Sequence, residues 1–191
     1  HFPLQVALTK AEVSSYVIHT GQHYDQNMSD VFFDELGIAK ADINLMVGSG
    51  SHGEQTGNML TQIEKVLQQE EPDMVIVYGD TNSTIAGSLA ASKLHIPIAH
   101  IEAGLRSYNK KMPEEINRVL TDHISDLLFI PSESSRDNLG KEGITEGVIN
   151  VGDIMYDSVQ LTLQKANPES SLKTYGLNAD KDYFATVHRP H

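Results

Sequence analysis

The segment of residues 73–118 constrains the fold of this chain more than any other part, because strand and helix patterns alternate within it. Residues 73–78 form a short and mostly apolar run, which is typical of a strand buried on both faces of a parallel sheet. From residue 82 to residue 94 the apolar positions recur on one helical face, and residues 96–101 form a second apolar run. Parallel neighbours need a crossover between them, so this order predicts a βαβ unit.

The same alternation extends along the chain, with a strand about every 25 residues. Further strands are predicted at residues 15–20, 43–47, 126–130, 147–151 and 183–187, with helices between them. We therefore predict an α/β fold with a doubly wound, Rossmann-like parallel sheet. A polar, proline-containing link at residues 167–171 predicts a first domain of residues 1–167. Residues 168–191 would then hold a linker and the opening strand of a truncated second domain.

Composition narrows the classes of partner and cofactor. The chain has 191 residues, a formal net charge of −12 and no cysteine, so a nucleic-acid backbone is not an expected partner and no thiolate site is possible. It contains neither a signal-peptide pattern nor an apolar stretch of about 18 residues, which predicts a cytoplasmic protein without a membrane partner. The nearest histidine combinations, His19 with His23 and His100 with Glu102, lack the spacing of a metal site. We expect no bound metal.

Three carboxylates lie where open α/β sheets bind their ligands. Asp80 follows the first strand of the opening segment, Glu102 follows the second, and Glu114 comes directly after a proline that is suited to start a helix. Each has a structural alternative: Asp80 could cap a helix, Glu102 could pair with His100, and Glu114 could interact with a helix dipole. The convergence of all three on one sheet edge favours a functional site.

A glycine pattern supports a hypothesis of another class. Gly48, Gly50 and Gly53 match G-x-G-x-x-G ahead of a helix, which suits the pyrophosphate of a dinucleotide. The acid that would bind the ribose, Asp80, lies further along than the expected spacing of about 20 residues. An NAD-dependent oxidoreductase therefore remains an alternative, and a flexible loop on the substrate side is the other interpretation.

At these residues the sequence resembles the non-hydrolysing UDP-N-acetylglucosamine 2-epimerase family. The matching segments are TGQH at residues 20–23, GDT at 79–81, HIEAGLR at 100–106, PEEINR at 113–118, and HR at 188–189. The resemblance implies a two-domain fold of the glycosyltransferase-B type with the active site between the domains. It also implies that these residues are the first half of that fold and part of a longer chain.

The resemblance implies inversion at C2 of a UDP-linked 2-acetamido sugar, from UDP-GlcNAc to UDP-ManNAc. UDP would be eliminated to leave a 2-acetamidoglucal and then added back, with no cofactor. By motif, the implied catalytic residues are Asp80, Glu102, Glu114 and His188. The implied substrate-binding residues are Gln22, His23, Gln55, Arg106, Asn117, Arg118 and Arg189. The implied partners are the UDP-sugar and a second copy of the chain in a homodimer.

The sequence departs from the family pattern in places. After His188 and Arg189 the usual Glu-Asn pair is replaced by Pro190 and His191, and the family's opening strand has no counterpart in these residues. Thr81, directly after Asp80, favours the non-hydrolysing class. Because of the serine-rich and glycine-rich loop at residues 48–55, a related substrate, a UDP-2,3-diacetamido uronic acid, remains an alternative.

Overall fold

The structure is a computed structural model that describes residues 2–22, 41–165, 168–178, 181–183 and 185. The helix predicted around residues 28–36 and most of the strand predicted at 183–187 lie outside the described residues. No helix in the described ranges combines the length and the apolar character that are needed to cross a membrane.

Strands and helices alternate throughout the described residues. The strands are β1 (Ile18–His19), β2 (Ile43–Asn44), β3 (Val75–Tyr78), β4 (Ile98–Ile101), β5 (Leu127–Ile130) and β6 (Val148–Asn150). The helices are α1 (Phe2–Lys10), α2 (His52–Glu70), α3 (Asn82–Lys93), α4 (Pro113–Ile124), α5 (Glu133–Lys141), α6 (Ile154–Lys165) and α7 (Pro168–Tyr175).

The described strands form two parallel sheets. One holds the four strands in the order β3-β4-β5-β6, and the other holds β1 and β2. Because successive strands of the larger sheet are neighbours and parallel, their carboxyl ends lie along one edge. The predicted α/β class with a parallel sheet is therefore confirmed.

Three elements, β4, α3 and α2, build the core beside this edge. All four residues of β4 are buried, as expected for an inner strand covered on both faces. Helix α3 contributes the small buried residues Ala86, Ala90 and Ala91, which let it approach the sheet closely. The predicted apolar face of α2 packs against the same cluster through Met59, Ile63, Val66 and Leu67. The elements that carry the site residues are thus fixed by a shared core.

The structure differs from the sequence prediction in two segments. Residues 168–175, of which the first part was predicted to be a polar link, form helix α7, because proline is compatible with the first turn of a helix. The strands predicted at 15–20 and 43–47 are reduced to two residues each, although backbone hydrogen bonds continue the pairing as far as Gly48. The division into domains at residue 167 stays a prediction.

Candidate functional site at the carboxyl edge of the sheet

Asp80 and Glu102 lie at the carboxyl ends of neighbouring strands, as predicted. Asp80 comes two residues after the end of β3, and Glu102 comes directly after the end of β4. Glu102 has a φ of +71°, a conformation that is uncommon for residues with a side chain and that occurs preferentially at functional sites. The local backbone therefore turns the chain sharply where it carries both carboxylates.

Gly79 is the residue that lets the two strand ends approach each other. Its φ is +59°, and a Cβ atom at this position would lie 3.1 Å from Oε2 of Glu102. Glycine is thus favoured by the backbone conformation, and a larger residue would press against the carboxylate of Glu102. Its N–H donates to the carbonyl of Ile101 at 3.0 Å, so the turn is held against the end of β4.

Glu102 lies in an environment that disfavours its ionised form. Burial raises the pKa of its carboxyl group, and the nearby carboxylates of Asp153 and Asp80 raise it further. Asp153 was missed by the sequence prediction, although it follows the end of β6 and the strand-end rule applies to it equally. It also accepts a hydrogen bond from the backbone N–H of Met155 at 2.8 Å, as a residue at a helix start does.

Asp80 is paired with residues from the first half of α4. Nε of Arg118 donates to Oδ2 of Asp80 at 3.1 Å, and a second guanidinium nitrogen contacts the same oxygen. Nδ2 of Asn117 donates to the backbone carbonyl of Asp80 at 2.9 Å. Three of the predicted site residues, Asp80, Asn117 and Arg118, are therefore brought together directly.

Asn82, which the sequence prediction missed, links these residues to the glycine loop. Its Nδ2 donates to Oε1 of Gln55 at 2.8 Å, and its Oδ1 accepts from Asn117 at 3.3 Å. Gln55 in turn donates to the carbonyl of Gly48 at 2.7 Å. The predicted binding residue Gln55 is thus connected to the same edge, through side chains that belong to three different elements.

Gln22 reaches the start of α3 from the end of the smaller sheet. Its Oε1 accepts hydrogen bonds from the hydroxyl of Ser83 at 2.7 Å and from the backbone N–H of Ser83 at 3.2 Å. The predicted residues His23, His188 and Arg189 lie outside the described residues.

The first turn of α4 places two neighbouring acids differently. Glu114 is exposed, and its side chain makes no hydrogen bond or ion pair with another described residue. Glu115 is buried and accepts the backbone N–H groups of Ser107 at 2.9 Å and Tyr108 at 2.7 Å. Burial alone would raise the pKa of Glu115, but these hydrogen bonds and the charge of Arg118 lower it. Glu115 therefore anchors the loop that leads to α4.

Arg106, a predicted substrate-binding residue, is held by acids of the protein itself. Its side chain is 1% exposed and donates to Oδ2 of Asp122 at 2.7 Å and to both carboxylate oxygens of Glu142 at 2.7 and 2.8 Å. Although burial alone would lower it, these two carboxylates raise the pKa of Arg106, and Arg106 lowers the pKa of Glu142. The described contacts favour a structural role, and substrate binding by Arg106 stays a prediction.

The described residues contain no group of three or more histidine, aspartate or glutamate side chains arranged to hold a metal ion. The carboxylates at the edge are instead arranged with cationic and amide side chains. Carboxylates, an arginine and amides around a strand edge can move protons and hold an anionic group.

Comparison with known proteins decides the family. A sequence model described as UDP-N-acetylglucosamine 2-epimerase matches residues 6–191. This chain belongs to the UDP-N-acetylglucosamine 2-epimerase family. The family resemblance of the sequence motifs is thereby confirmed.

Individual relatives of this family agree. A UDP-N-acetylglucosamine 2-epimerase homolog of Methanococcus maripaludis is 59% identical over 175 residues, which cover 91% of this chain and 49% of that protein. The UDP-2,3-diacetamido-2,3-dideoxy-D-glucuronate 2-epimerase of Pseudomonas aeruginosa is 53% identical over 182 residues, 93% of this chain and 50% of that protein. The crystal structure of Methanocaldococcus jannaschii UDP-GlcNAc 2-epimerase in complex with UDP-GlcNAc and UDP is similar with a TM-score of 0.85 and 50% identity.

That structural similarity covers 92% of this chain and 49% of the archaeal one. The chain thus spans about half the length of the epimerases it matches.

Proposed function

We propose that the full-length protein inverts the configuration at C2 of a UDP-linked 2-acetamido sugar, converting UDP-GlcNAc and UDP-ManNAc into each other. The observation that carries this proposal is the meeting of Asp80 and Glu102 at one sheet edge, in a chain of the epimerase family.

The reaction needs groups that handle a proton and an anionic leaving group. A base removes the proton from C2 while the bond from C1 to the UDP oxygen breaks, which leaves a C1–C2 double bond and free UDP. UDP then adds back to C1, and C2 receives a proton on the opposite face. Because the C2 proton is weakly acidic, carboxylates of the protein must be positioned next to the sugar. General acid–base groups of this kind increase the reaction rate by roughly 100- to 10,000-fold.

The environments of the carboxylates support different roles for them. The pKa of Glu102 is raised by burial and by the neighbouring carboxylates, which is a property of groups that act in general acid–base catalysis. Asp80 is held by Arg118, which fixes its orientation. Glu114 projects from the start of α4 without a partner among the described residues, so it is available to a substrate. His188 and Arg189 are proposed to act on the diphosphate.

A second substrate class is favoured by one finding. The relative from Pseudomonas aeruginosa, named for a UDP-2,3-diacetamido glucuronate, is 53% identical to this chain. The same elimination and addition would serve that sugar, because the chemistry takes place at C1 and C2. Parallel assays with the two UDP-sugars distinguish the substrates by their kcat/KM values.

The oxidoreductase alternative receives no support from the glycine loop. In that motif the third glycine permits close packing of the helix on the strand, but a Cβ atom at Gly53 would meet nothing within 4 Å, and the same holds at Gly48. Turnover by full-length protein without added nicotinamide would exclude this alternative.

The decisive experiment is turnover of UDP-GlcNAc by the full-length protein in deuterium oxide, followed by NMR of the sugar products. We expect UDP-ManNAc with deuterium at C2, because the proton lost from C2 exchanges with solvent before it is replaced. UDP-ManNAc that carries no deuterium at C2 would contradict elimination and addition. The absence of any C2-inverted product from either UDP-sugar would contradict the proposed activity.

The proposal includes assembly of the full-length protein as a homodimer, which the family resemblance implies. Light scattering coupled to size-exclusion chromatography checks it, since a mass of twice that of the full-length chain is expected.

A further inference from the structure

We propose that His100 is a buried imidazolium, protonated on both ring nitrogens, which positions the turn that carries Asp80. The side chains of His100 and of its partner Asp122 are both 0% exposed, so bulk water is not available to satisfy either ring nitrogen. The protonation state follows from the two acceptors alone. The consequence for catalysis rests on the proposed epimerase function.

The first acceptor is a backbone carbonyl. Nε2 of His100 lies 2.7 Å from the carbonyl oxygen of Gly79, a hydrogen-bond distance. A carbonyl oxygen can only accept, so Nε2 must carry the hydrogen.

The second acceptor is a carboxylate. Nδ1 of His100 lies 2.7 Å from Oδ1 of Asp122. The other oxygen of Asp122 accepts the backbone N–H of Gly104 at 3.1 Å and a guanidinium N–H of Arg106 at 2.7 Å. Two donors, one of them a cation, stabilise Asp122 in its ionised form, which has no hydrogen to donate. Nδ1 must therefore carry a hydrogen as well, and the ring is a cation.

The charges around the ring are consistent with this assignment. Arg106 contacts both Asp122 and Glu142, so one guanidinium faces two carboxylates. Glu142 is 26% exposed and also contacts His123, so water and a second side chain reach it, whereas Asp122 is fully buried. An imidazolium at position 100 places a second cation directly against this buried carboxylate.

Other ionisable groups lie on the elements around His100. Glu102 follows the same strand and interacts electrostatically with His100, and Asp80 follows Gly79 at the end of β3. On the far side of Arg106, His123 of α4 contacts Glu142 at 3.2 Å. Tyr78, the last residue of β3, has its pKa raised to about 12 by burial and stays neutral. Among the described acids, Asp122 is the one that is in hydrogen-bond contact with the ring.

The imidazolium completes the anchoring of the Gly79 turn. The Gly79 N–H is held by the carbonyl of Ile101, and the Gly79 carbonyl is held by the side chain of His100, so β4 fixes both peptide groups that flank the turn. Asp80, the next residue, is thereby directed toward Glu102 and Arg118. His100 does not touch the proposed substrate and acts through this turn as a positioning residue.

The protonation state is tested on full-length wild-type protein labelled with ¹⁵N in its histidines. NMR at neutral pH should show both ring nitrogens of His100 protonated, because each of them lies 2.7 Å from an acceptor. The signal is assigned by its proximity to Gly79 and by its loss in H100Q. An unprotonated ring nitrogen at neutral pH would overturn the proposal, and this measurement on wild-type protein does not depend on any variant folding.

The positioning role is tested with two neutral replacements. The side chain of H100Q is long enough for its amide N–H to reach the Gly79 carbonyl, whereas that of H100N is too short. We expect kcat of H100N to fall roughly 100-fold, since a displacement of about 1 Å costs this much, with a much smaller change in KM. The kcat of H100Q should lie between those of H100N and the wild type. If H100N does not fold, kcat of H100Q is compared with that of the wild type alone.

The matched control is H95N, which changes an exposed histidine between α3 and β4 that has a φ of +60°. Asparagine tolerates this conformation, so kcat should be unchanged. Wild-type kcat in both His100 variants would overturn the positioning role. If the wild-type protein turns over neither UDP-sugar, the proposed function fails, while the NMR result still decides the protonation of His100.

Discussion

Two adjacent glutamates at the start of α4 have opposite surroundings, and their roles follow from these. Glu114 is exposed, whereas Glu115 is 4% exposed and accepts two backbone N–H groups from the preceding loop. A short motif with two acids cannot distinguish them, because only burial and contacts separate the two side chains.

The pair therefore forms a matched test by glutamine replacement. Glu114→Gln should lower kcat by about 100-fold or more, since it removes an acid–base group, while unfolding free energy changes by no more than about 0.3–1 kcal/mol. Glu115→Gln should instead lower the unfolding free energy by roughly 1.5–3 kcal/mol, because it weakens hydrogen bonds to a buried charge. Urea denaturation and steady-state kinetics measure both. Near-normal turnover by folded Glu114→Gln would assign Glu114 to the helix start only.

Glu102 couples the site to the pH dependence of stability. Because its pKa is raised in the folded protein, Glu102 contributes to the free energy of unfolding at low pH. This contribution is fully present below the ordinary pKa of 4.5 and is lost as pH rises through the folded-state pKa. Glu102→Gln removes the buried charge. The variant should therefore melt above the wild type at about pH 8, and the difference should disappear below about pH 4.5.

The same substitution should lower kcat about 100-fold or more, because the acid–base group is lost. The difference in melting temperature between Glu102→Gln and the wild type is measured by thermal melts from about pH 4.5 to about pH 8. A wild-type protein that is stabilised relative to Glu102→Gln at about pH 8 would contradict the raised pKa.

At the scale of elements, the turn between β3 and α3 determines how the site is presented. Gly79 occupies it with a positive φ and leaves room for the carboxylate of Glu102, which would lie 3.1 Å from a Cβ atom there. The hydroxyl of Thr84 in the first turn of α3 donates to the carbonyl of Tyr78 at 2.5 Å. Strand, turn and helix are thus joined by contacts that are local in sequence, which explains why the structure of this segment could be predicted from its sequence pattern.

Alanine replacement of Gly79 can be compared with alanine replacement of Gly57, an exposed glycine within a helix. Gly79→Ala should lower the unfolding free energy by at least about 1–2 kcal/mol, the usual cost of a left-handed conformation, and should lower kcat because the new methyl group displaces Glu102. Gly57 is exposed within α2, and a Cβ atom there would meet nothing within 4 Å. Gly57→Ala should therefore stabilise the protein by about 0.5–1 kcal/mol and leave kcat unchanged. Equal effects of the two substitutions would contradict the assigned role of Gly79.

For the molecule as a whole, we expect the described residues to supply one wall of the proposed site. The chain spans about half the length of the epimerases it matches, and the family resemblance implies an active site between two domains. We therefore expect a protein limited to residues 1–191 to show no epimerisation of UDP-GlcNAc, whereas the full-length protein turns over. Product analysis by NMR checks this, with circular dichroism to verify that the shorter protein is folded. Substantial turnover by the shorter protein would contradict a site shared between two domains.

Local sequence patterns were sufficient to predict the central βαβα segment and the positions of two of the carboxylates. Buried apolar runs and helical faces are local patterns, so β3, α3 and β4 could be predicted from them, and the strand-end rule then located Asp80 and Glu102. The family was also readable, because its motifs combine residue types and spacing across most of the chain.

The environments of the charged groups, in contrast, could not be predicted from local patterns. The sequence allows a pair between His100 and Glu102, two residues away, as an alternative to a functional role of Glu102. The hydrogen bonds of His100 go instead to Asp122 and Gly79 on neighbouring elements. Arg106 is enclosed by acids that lie 16 and 36 residues further along the chain. Burial and charge pairing depend on contacts between distant segments, and these set whether a carboxylate or a cation serves the substrate or the fold.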